Sequence, residues 1–343
     1  MKFSFLNMAA YDGPAPQLEV WPVAAKICDP EVARKSYRRW LDLCAHADDL
    51  GFDWVSVAEH HYAAYMMTPN PLLMAAALTQ VVKKAKIALL GPLVPLNNPV
   101  RLAEEVAMLD VLSEGRIVVL FLRGTINEHN TYDTPKEFTR EMTQEGIDLA
   151  VKALSSPEPF SWQGEHYKFS TISVWPRPSQ NPGVPIYGSG NSEESVEFAA
   201  SRKLGIAFSF APPEAVKKFV DLYKAKAAAA GWTPTPDHVI YRGLTYAAAS
   251  DEQARAEAFE FFGKRAEIAA QSQQETMGGP QTTPLVFEPY FLGGPDTLIE
   301  RIAALRECGV GIVDLCFAIG SHEQQVNAMN IVARDVMPVA RSW

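Results

Sequence analysis

The chain has 343 residues, 48% hydrophobic and 21% charged, the balance of a globular protein able to bury a large core. A formal net charge of −9 with no basic tract excludes general binding to nucleic acid or to anionic membranes, both of which draw on clustered lysine and arginine. No run approaches 18 apolar residues, so no transmembrane span is expected, and the apolar start MKFSFLNMAAY is too short for a signal peptide.

In chain order, Lys2–Met8 reads as a strand, followed by a Pro- and Gly-rich loop from Asp12 to Pro30, long enough to suggest a function. A helix from about Glu31 to Leu50 stops at Gly51. Trp54–Val57 has the residue types of a strand buried on both faces, and Glu59, His60 and His61 follow almost at once. On extended backbone Glu59 and His61 share one side and His60 takes the other, so only one imidazole easily faces a barrel axis. By itself a strand-end histidine is more often a capping or packing residue, and its neighbours must decide. A metal site is not expected, because adjacent histidines on a strand seldom chelate one ion and no HxxxH or CxxC spacing supports them. A helix over 71–84 precedes the apolar run Ile87–Val94. After Pro99, Leu102, Val106 and Leu109 mark the buried face of another helix, which ends at Ser113-Glu114-Gly115 and leads into the strand Arg116–Leu122.

Past Arg123 the sequence reads as a long polar loop, then a helix from about Pro135 to Leu154. Pro159–Ser170 reads as a β-hairpin turning at Gln163-Gly164, an excursion from the βα alternation. The alternation resumes with Val184–Tyr187, a helix over 192–203, Ile206–Phe210, a helix over 213–230, Val239–Ala247 and a helix over 250–271. An irregular insertion, Glu275–Gly293, precedes a helix opened by Gly294-Pro295 that buries Leu298, Ile302 and Leu305, then a last strand, Gly311–Phe317, and a closing helix over 323–335. Eight strands, each followed by a helix, close most naturally as a single (β/α)8 TIM barrel over residues 1–343. A doubly wound open sheet is the alternative, but its GxGxxG fingerprint is missing. The cysteines, Cys28, Cys44, Cys308 and Cys316, read as reduced thiols of a cytoplasmic protein.

In a barrel the residues after each strand form the functional rim. These are Glu59, His60 and His61, then Pro95, Asn97 and Asn98, then Arg123, Gly124 and Thr125, and then Gly188–Ser192. The last group, YGSGNSEES, puts small residues and hydroxyls at a helix start, which suits a phosphate, with Arg123 and Arg140 as compensating charges. Glu193 and Glu194 in that first turn would repel an anion, and Asn191 or Ser192 can be a plain N-cap.

The sequence resembles the bacterial luciferase-like monooxygenases, a family of flavin-dependent (β/α)8 barrels. The resemblance covers almost the whole chain and is carried by AEHHY at 58–62, NPLLMAAAL at 70–78, LVPLNNPVRLAEEVAMLDVLSEGR at 93–116, LRG at 122–124, PFSWQGEHYKF at 159–169, PIYGSGNSEES at 185–195 and GGPDTLIERIAALRECGV at 293–310. It implies a catalytic histidine beside the flavin at His60, with Glu59 either orienting an imidazole or structural. It implies cofactor contacts at Leu90, Gly91 and Asn97, and at Arg123, Arg140, Ser189, Gly190, Asn191, Ser192 and Ser195 around the phosphate. A cis peptide is implied at Leu90-Gly91, with Gly91-Pro92 as the alternative. Leu122 stands where luciferase has a reactive cysteine, so no thiol chemistry is inferred there.

The implied activity is that of an FMN-dependent monooxygenase. Reduced FMN (FMNH2), delivered by a separate NAD(P)H:flavin reductase, reacts with O2 to give a C4a-(hydro)peroxyflavin that oxygenates a small organic substrate. An F420-dependent oxidoreductase and a non-catalytic flavin-binding accessory protein are the alternatives. The loops Tyr11–Pro30 and Met277–Phe291 are candidate lids, and a homodimer through the helices over 71–84 and 99–112 is expected.

Overall fold

A computed structural model describes residues 1–15, 20–271 and 290–343, with the backbone alone for 264–271. Of the candidate lid Tyr11–Pro30 only residues 16–19 lie outside the described residues, whereas the lid Met277–Phe291 and the insertion Glu275–Gly293 lie largely outside them. The elements are β1 (Lys2–Leu6), α1 (Pro30–Asp49), β2 (Trp54–Val57), α2 (Pro71–Val81), β3 (Lys86–Leu93), α3 (Pro99–Leu112), β4 (Ile117–Leu122), α4 (Ile126–Thr131), α5 (Thr139–Ser155), β5 (Phe160–Gln163) and β6 (Lys168–Ile172). They continue with β7 (Ile186–Ser189), α6 (Glu193–Ser201), β8 (Gly205–Ser209), α7 (Pro213–Ala229), β9 (Val239–Ala247), α8 (Asp251–Gln271), β10 (Phe291–Gly293), α9 (Pro295–Glu307), β11 (Ile312–Cys316), α10 (His322–Ile331) and α11 (Met337–Arg341).

The strands run parallel in the order β1-β2-β3-β4-β7-β8-β9-β11, and β11 pairs back onto β1, so the sheet closes into the expected (β/α)8 barrel. Closure makes two cores. Between sheet and helices lie such residues as Phe5, Trp40, Val55, Leu102 and Ile302; inside the barrel Trp54, Ala88, Val118, Tyr187, Ile240 and Ile312 form a second cluster. The two faces of each strand are apolar for this reason, as in β4, IVVLFL.

One polar group interrupts the inner core. Arg242 of β9 donates from Nε to Asp314 of β11 at 2.6 Å, and Ser56 of β2 donates to the same carboxylate at 2.7 Å. The guanidinium also donates to the carbonyl oxygen of Leu90 at 3.1 Å, tying β3 to the opposite wall. The peptide bond following that carbonyl, Leu90-Gly91, is cis, and Gly91-Pro92 is not among the cis bonds. Gly91 is fixed by contact: a Cβ there would fall 1.6 Å from the Leu120 carbonyl oxygen.

Several details differ from the sequence reading, each for a local reason. The second helix stops at Val81 rather than Lys84, because the Asp48 carboxylate accepts from the N–H groups of Lys83, Lys84 and Ala85 and turns the chain toward β3. The hairpin turns over Gly164–Tyr167, where Glu145 of α5 accepts from Glu165, His166 and Tyr167 N–H. Phe291–Gly293, read as part of an irregular insertion, is a short strand that pairs with the end of β9, its Phe291 ring packed on Tyr241. The closing helix breaks at Ile331 into a π-turn, Val332–Val336, before α11. No helix among the described residues is long and apolar enough to cross a membrane. The helices expected to face a second copy, α2 and α3, carry exposed Leu73, Met108 and Leu112.

Candidate active site

The carboxyl ends of the strands share one rim. Past β2 the chain splits its three titratable groups as the alternation requires. Glu59 and His61 are buried together: Glu59 Oε1 lies 2.9 Å from His61 Nε2, and Oε2 accepts the Leu93 N–H at 2.9 Å. Glu59 thus ties the end of β2 to the end of β3, with both carboxylate oxygens engaged. His60 turns the other way, with its side chain 29% exposed.

His60 is held by residues the sequence reading passed over. Its Nδ1 lies 3.0 Å from Glu128 Oε1 and 3.1 Å from the Tyr65 hydroxyl. Glu128 belongs to α4, in a stretch read as loop, and is itself fixed by a capping box: its other oxygen accepts from the Thr125 N–H at 3.1 Å and from the Thr125 hydroxyl. The TINE spacing at 125–128 was the available signal. Burial alone would raise the Glu128 carboxyl, but the hydrogen bond and charge of His60, with Thr125, outweigh it and hold Glu128 at about 2. An ionised carboxylate offers only lone pairs, so the proton sits on Nδ1 and Nε2 is left as the reactive nitrogen, with no partner among the described residues. Burial, and then the Glu128 charge, push the Tyr65 hydroxyl far above its ordinary range, so it remains a phenol.

This depression has a testable sign. A carboxyl whose folded value lies below its unfolded one stabilises the fold above the unfolded value and loses that contribution as pH falls. The urea midpoint is expected to fall between about pH 4.5 and 2, and to fall less in Glu128→Gln. Equal slopes in the two proteins would remove Glu128 from the account.

The anion-binding residues gather on the next arc. A cavity of about 430 Å³ opens at the ends of β4, β7 and β8, lined by Arg123, Thr125, Arg140, Ser189, Asn191, Ser192 and Ser195. Ser192 caps α6, accepting from Ser195 N–H at 3.2 Å. Arg140 pairs with Glu194, whereas the Arg123 guanidinium has no partner among the described residues. Two guanidiniums against one carboxylate leave the cavity with one net positive charge, which suits a phosphate. The remaining expected contacts lie off this cavity. Leu90 belongs to the inner core and Gly91 packs on Leu120, the Asn97 amide donates to the Leu93 carbonyl, and Gly190 is pressed against the Phe208 ring.

The model of the family described as luciferase-like monooxygenase matches residues 17–311. The chain belongs to the luciferase-like monooxygenase family. Among curated members it is 29% identical over 197 residues to an alkanal monooxygenase alpha chain from the Kryptophanaron alfredi symbiont, a match to 57% of this chain and 55% of that one, so the chain spans about half the length of that relative. It is 24% identical over 334 residues to the oxygenase component of the flavin-dependent trigonelline monooxygenase of Acinetobacter baylyi, covering 91% of this chain and 92% of the relative. Solved structures share the fold: monooxygenase RslO1 of Streptomyces bottropensis has a TM-score of 0.81 at 24% identity, covering 99% of both chains. The oxygenating constituent of the Pseudomonas putida 3,6-diketocamphane monooxygenase, in complex with FMN, has a TM-score of 0.75 at 19% identity, covering 98% of both chains. The same fold carries an F420-dependent tetrahydromethanopterin reductase from Methanopyrus kandleri, TM-score 0.70 at 16% identity, covering 98% of both chains.

Proposed function

We propose that this chain is the oxygenase of a two-component system, taking reduced FMN from an NAD(P)H:flavin reductase and using O2 to oxygenate a small organic substrate. The observation that carries the reading is the meeting of Arg123, Arg140 and the α6 N-terminus in one cavity, on the same rim as an imidazole whose tautomer is set by Glu128. The cavity residues fit the ribityl phosphate: one cation lacks a counter-charge, and the small residues of the β7–α6 turn leave backbone and hydroxyl groups within reach. When bound, the reduced flavin supplies the electrons and the carbon at which O2 is activated. The protein then binds, orients and shields. Arg123 and the serines would hold the phosphate, the inner core of Leu90, Leu120, Ala207 and Ile240 closes the barrel, and His60 Nε2 would give or take a proton.

The F420-dependent fold neighbour keeps a second cofactor in view. Fluorescence titration with FMN and with F420 separates the two, and Arg123→Met sharpens the test. A charge-assisted hydrogen bond is worth about 1.5–3 kcal/mol, so loss of Arg123 is expected to weaken FMN binding by roughly 10- to 100-fold. Arg140→Met is expected to cost less, since Arg140 must give up Glu194 to reach the anion. Tighter binding of F420, or FMN affinity indifferent to Arg123, would overturn the FMN reading.

A further inference from the structure

A second chamber of about 290 Å³ lies at the ends of β1 and β11, walled by Met8, Tyr11, Tyr65 and Phe261, with Arg39 and Gln325 among its polar groups. In the closed order of strands, β1 stands four places from β7, so the chamber faces the anion cavity across the barrel mouth. Its wall residue Tyr65 touches His60 Nδ1, which places the chamber one side chain from the imidazole. A cofactor anchored by its phosphate near β7 and lying over the axis would present its far side here.

Among the described residues the chamber's charges cancel: Arg39 and Asp12 are its charged lining residues and they pair at 2.6 Å. The amides are also committed: Asn7 donates to the Phe317 carbonyl and to Gln325, and Gln325 donates to the Gly320 carbonyl. A carboxylate or ammonium ligand would shed its water here and gain no counter-ion among the described residues, a cost the chamber's contacts do not offset. One donor is left over. Arg39 Nε is buried without a hydrogen-bond partner among the described residues, and buried donors ordinarily have acceptors. The walls are two phenols, a phenyl ring and a thioether, which favour a flat or cyclic apolar body, and the volume sits at the small end of the roughly 300–1,000 Å³ typical of ligand pockets.

We propose that this chamber is the substrate site, and that it takes an uncharged cyclic or fused-ring compound of one or two rings whose carbonyl or other neutral oxygen accepts from Arg39 Nε. The inference rests on the flavin reading for its role but not for its chemistry, and the experiment keeps the two apart. Binding of 1-tetralone, of tetralin-1-carboxylate and of decanal is measured by calorimetry on the flavin-free and the FMN-loaded protein. The ketone is expected to bind, with the carboxylate of similar shape and the linear aldehyde at least tenfold weaker. Ala318→Phe, which fills the chamber, should abolish ketone binding and leave the FMN titration unchanged. Arg39→Lys keeps the charge opposite Asp12 but lacks the Nε–H, and should weaken the ketone by roughly tenfold with FMN affinity intact. Preference for the carboxylate or the linear aldehyde, no binding of the ketone in either form of the protein, or ketone binding untouched by both substitutions overturns the proposal. A protein that takes up no FMN but binds the ketone in a manner Ala318→Phe removes upholds the chamber and overturns the flavin reading alone.

Discussion

Replacing His60 by alanine is expected to lower product formation by about 10²-fold or more while FMN affinity stays nearly constant, the scale of lost acid–base catalysis. The imidazole lies outside the anion cavity, so its removal leaves the phosphate contacts in place. Its effect should depend on Glu128. Glu128→Gln preserves shape and packing but can offer an N–H to Nδ1, and the proton then moves to Nε2, the wrong tautomer for accepting one. That variant should show a reduced rate and a displaced pH profile with little change in the substrate KM, whereas a purely structural Glu128 would alter stability and leave the profile where it was. The assay couples the protein to a flavin reductase, NADH and FMN, with a substrate found by mass-spectrometric detection of oxygen incorporation. Unchanged turnover in His60→Ala would reject the proposed role outright.

Asp314→Ala should destabilise the fold by about 3–5 kcal/mol, because it strands the Arg242 guanidinium inside the barrel without its counter-charge. Asp314 is fully buried and the Arg242 side chain is only 13% exposed, so solvent cannot take over. Ser56 and the Leu90 carbonyl keep their positions relative to Arg242 through the same network, and β2, β3, β9 and β11 all lose an anchor together. A paired change, Arg242→Leu with Asp314→Leu, should recover much of the loss, since replacing a buried ion pair by apolar groups is often close to neutral. Urea unfolding reads both. A loss below about 1 kcal/mol in Asp314→Ala would mean that water reaches the pair or that the barrel relaxes around it.

The barrel was legible because its strands are short apolar runs punctuated by helix starts such as Asn70-Pro71, Asn98-Pro99 and Gly294-Pro295, where proline marks each first turn and the two asparagines add side-chain caps. The gathering of Arg123, Ser189, Asn191 and Ser192 followed from counting strands, since residues after neighbouring strands must meet on the rim, while Ser195 came from the family resemblance. Side-chain partnerships were harder to read. Glu128 lies 68 positions from His60, in a helix of only six residues whose polar surface looked like loop, and nothing local ties the two. The Arg242–Asp314 pair spans 72 positions and sits in two strands made mostly of apolar residues. Likewise Asp48 ends α2 from a distance, through three backbone N–H groups that no helix propensity encodes.

The capping box at the start of α4 joins two tasks in one short segment. Thr125 borders the anion cavity, and Glu128, bonded to it, grips His60 from the far side. The turn that aims the imidazole is therefore also a wall of the anion cavity, and one short segment sets the spacing between the two.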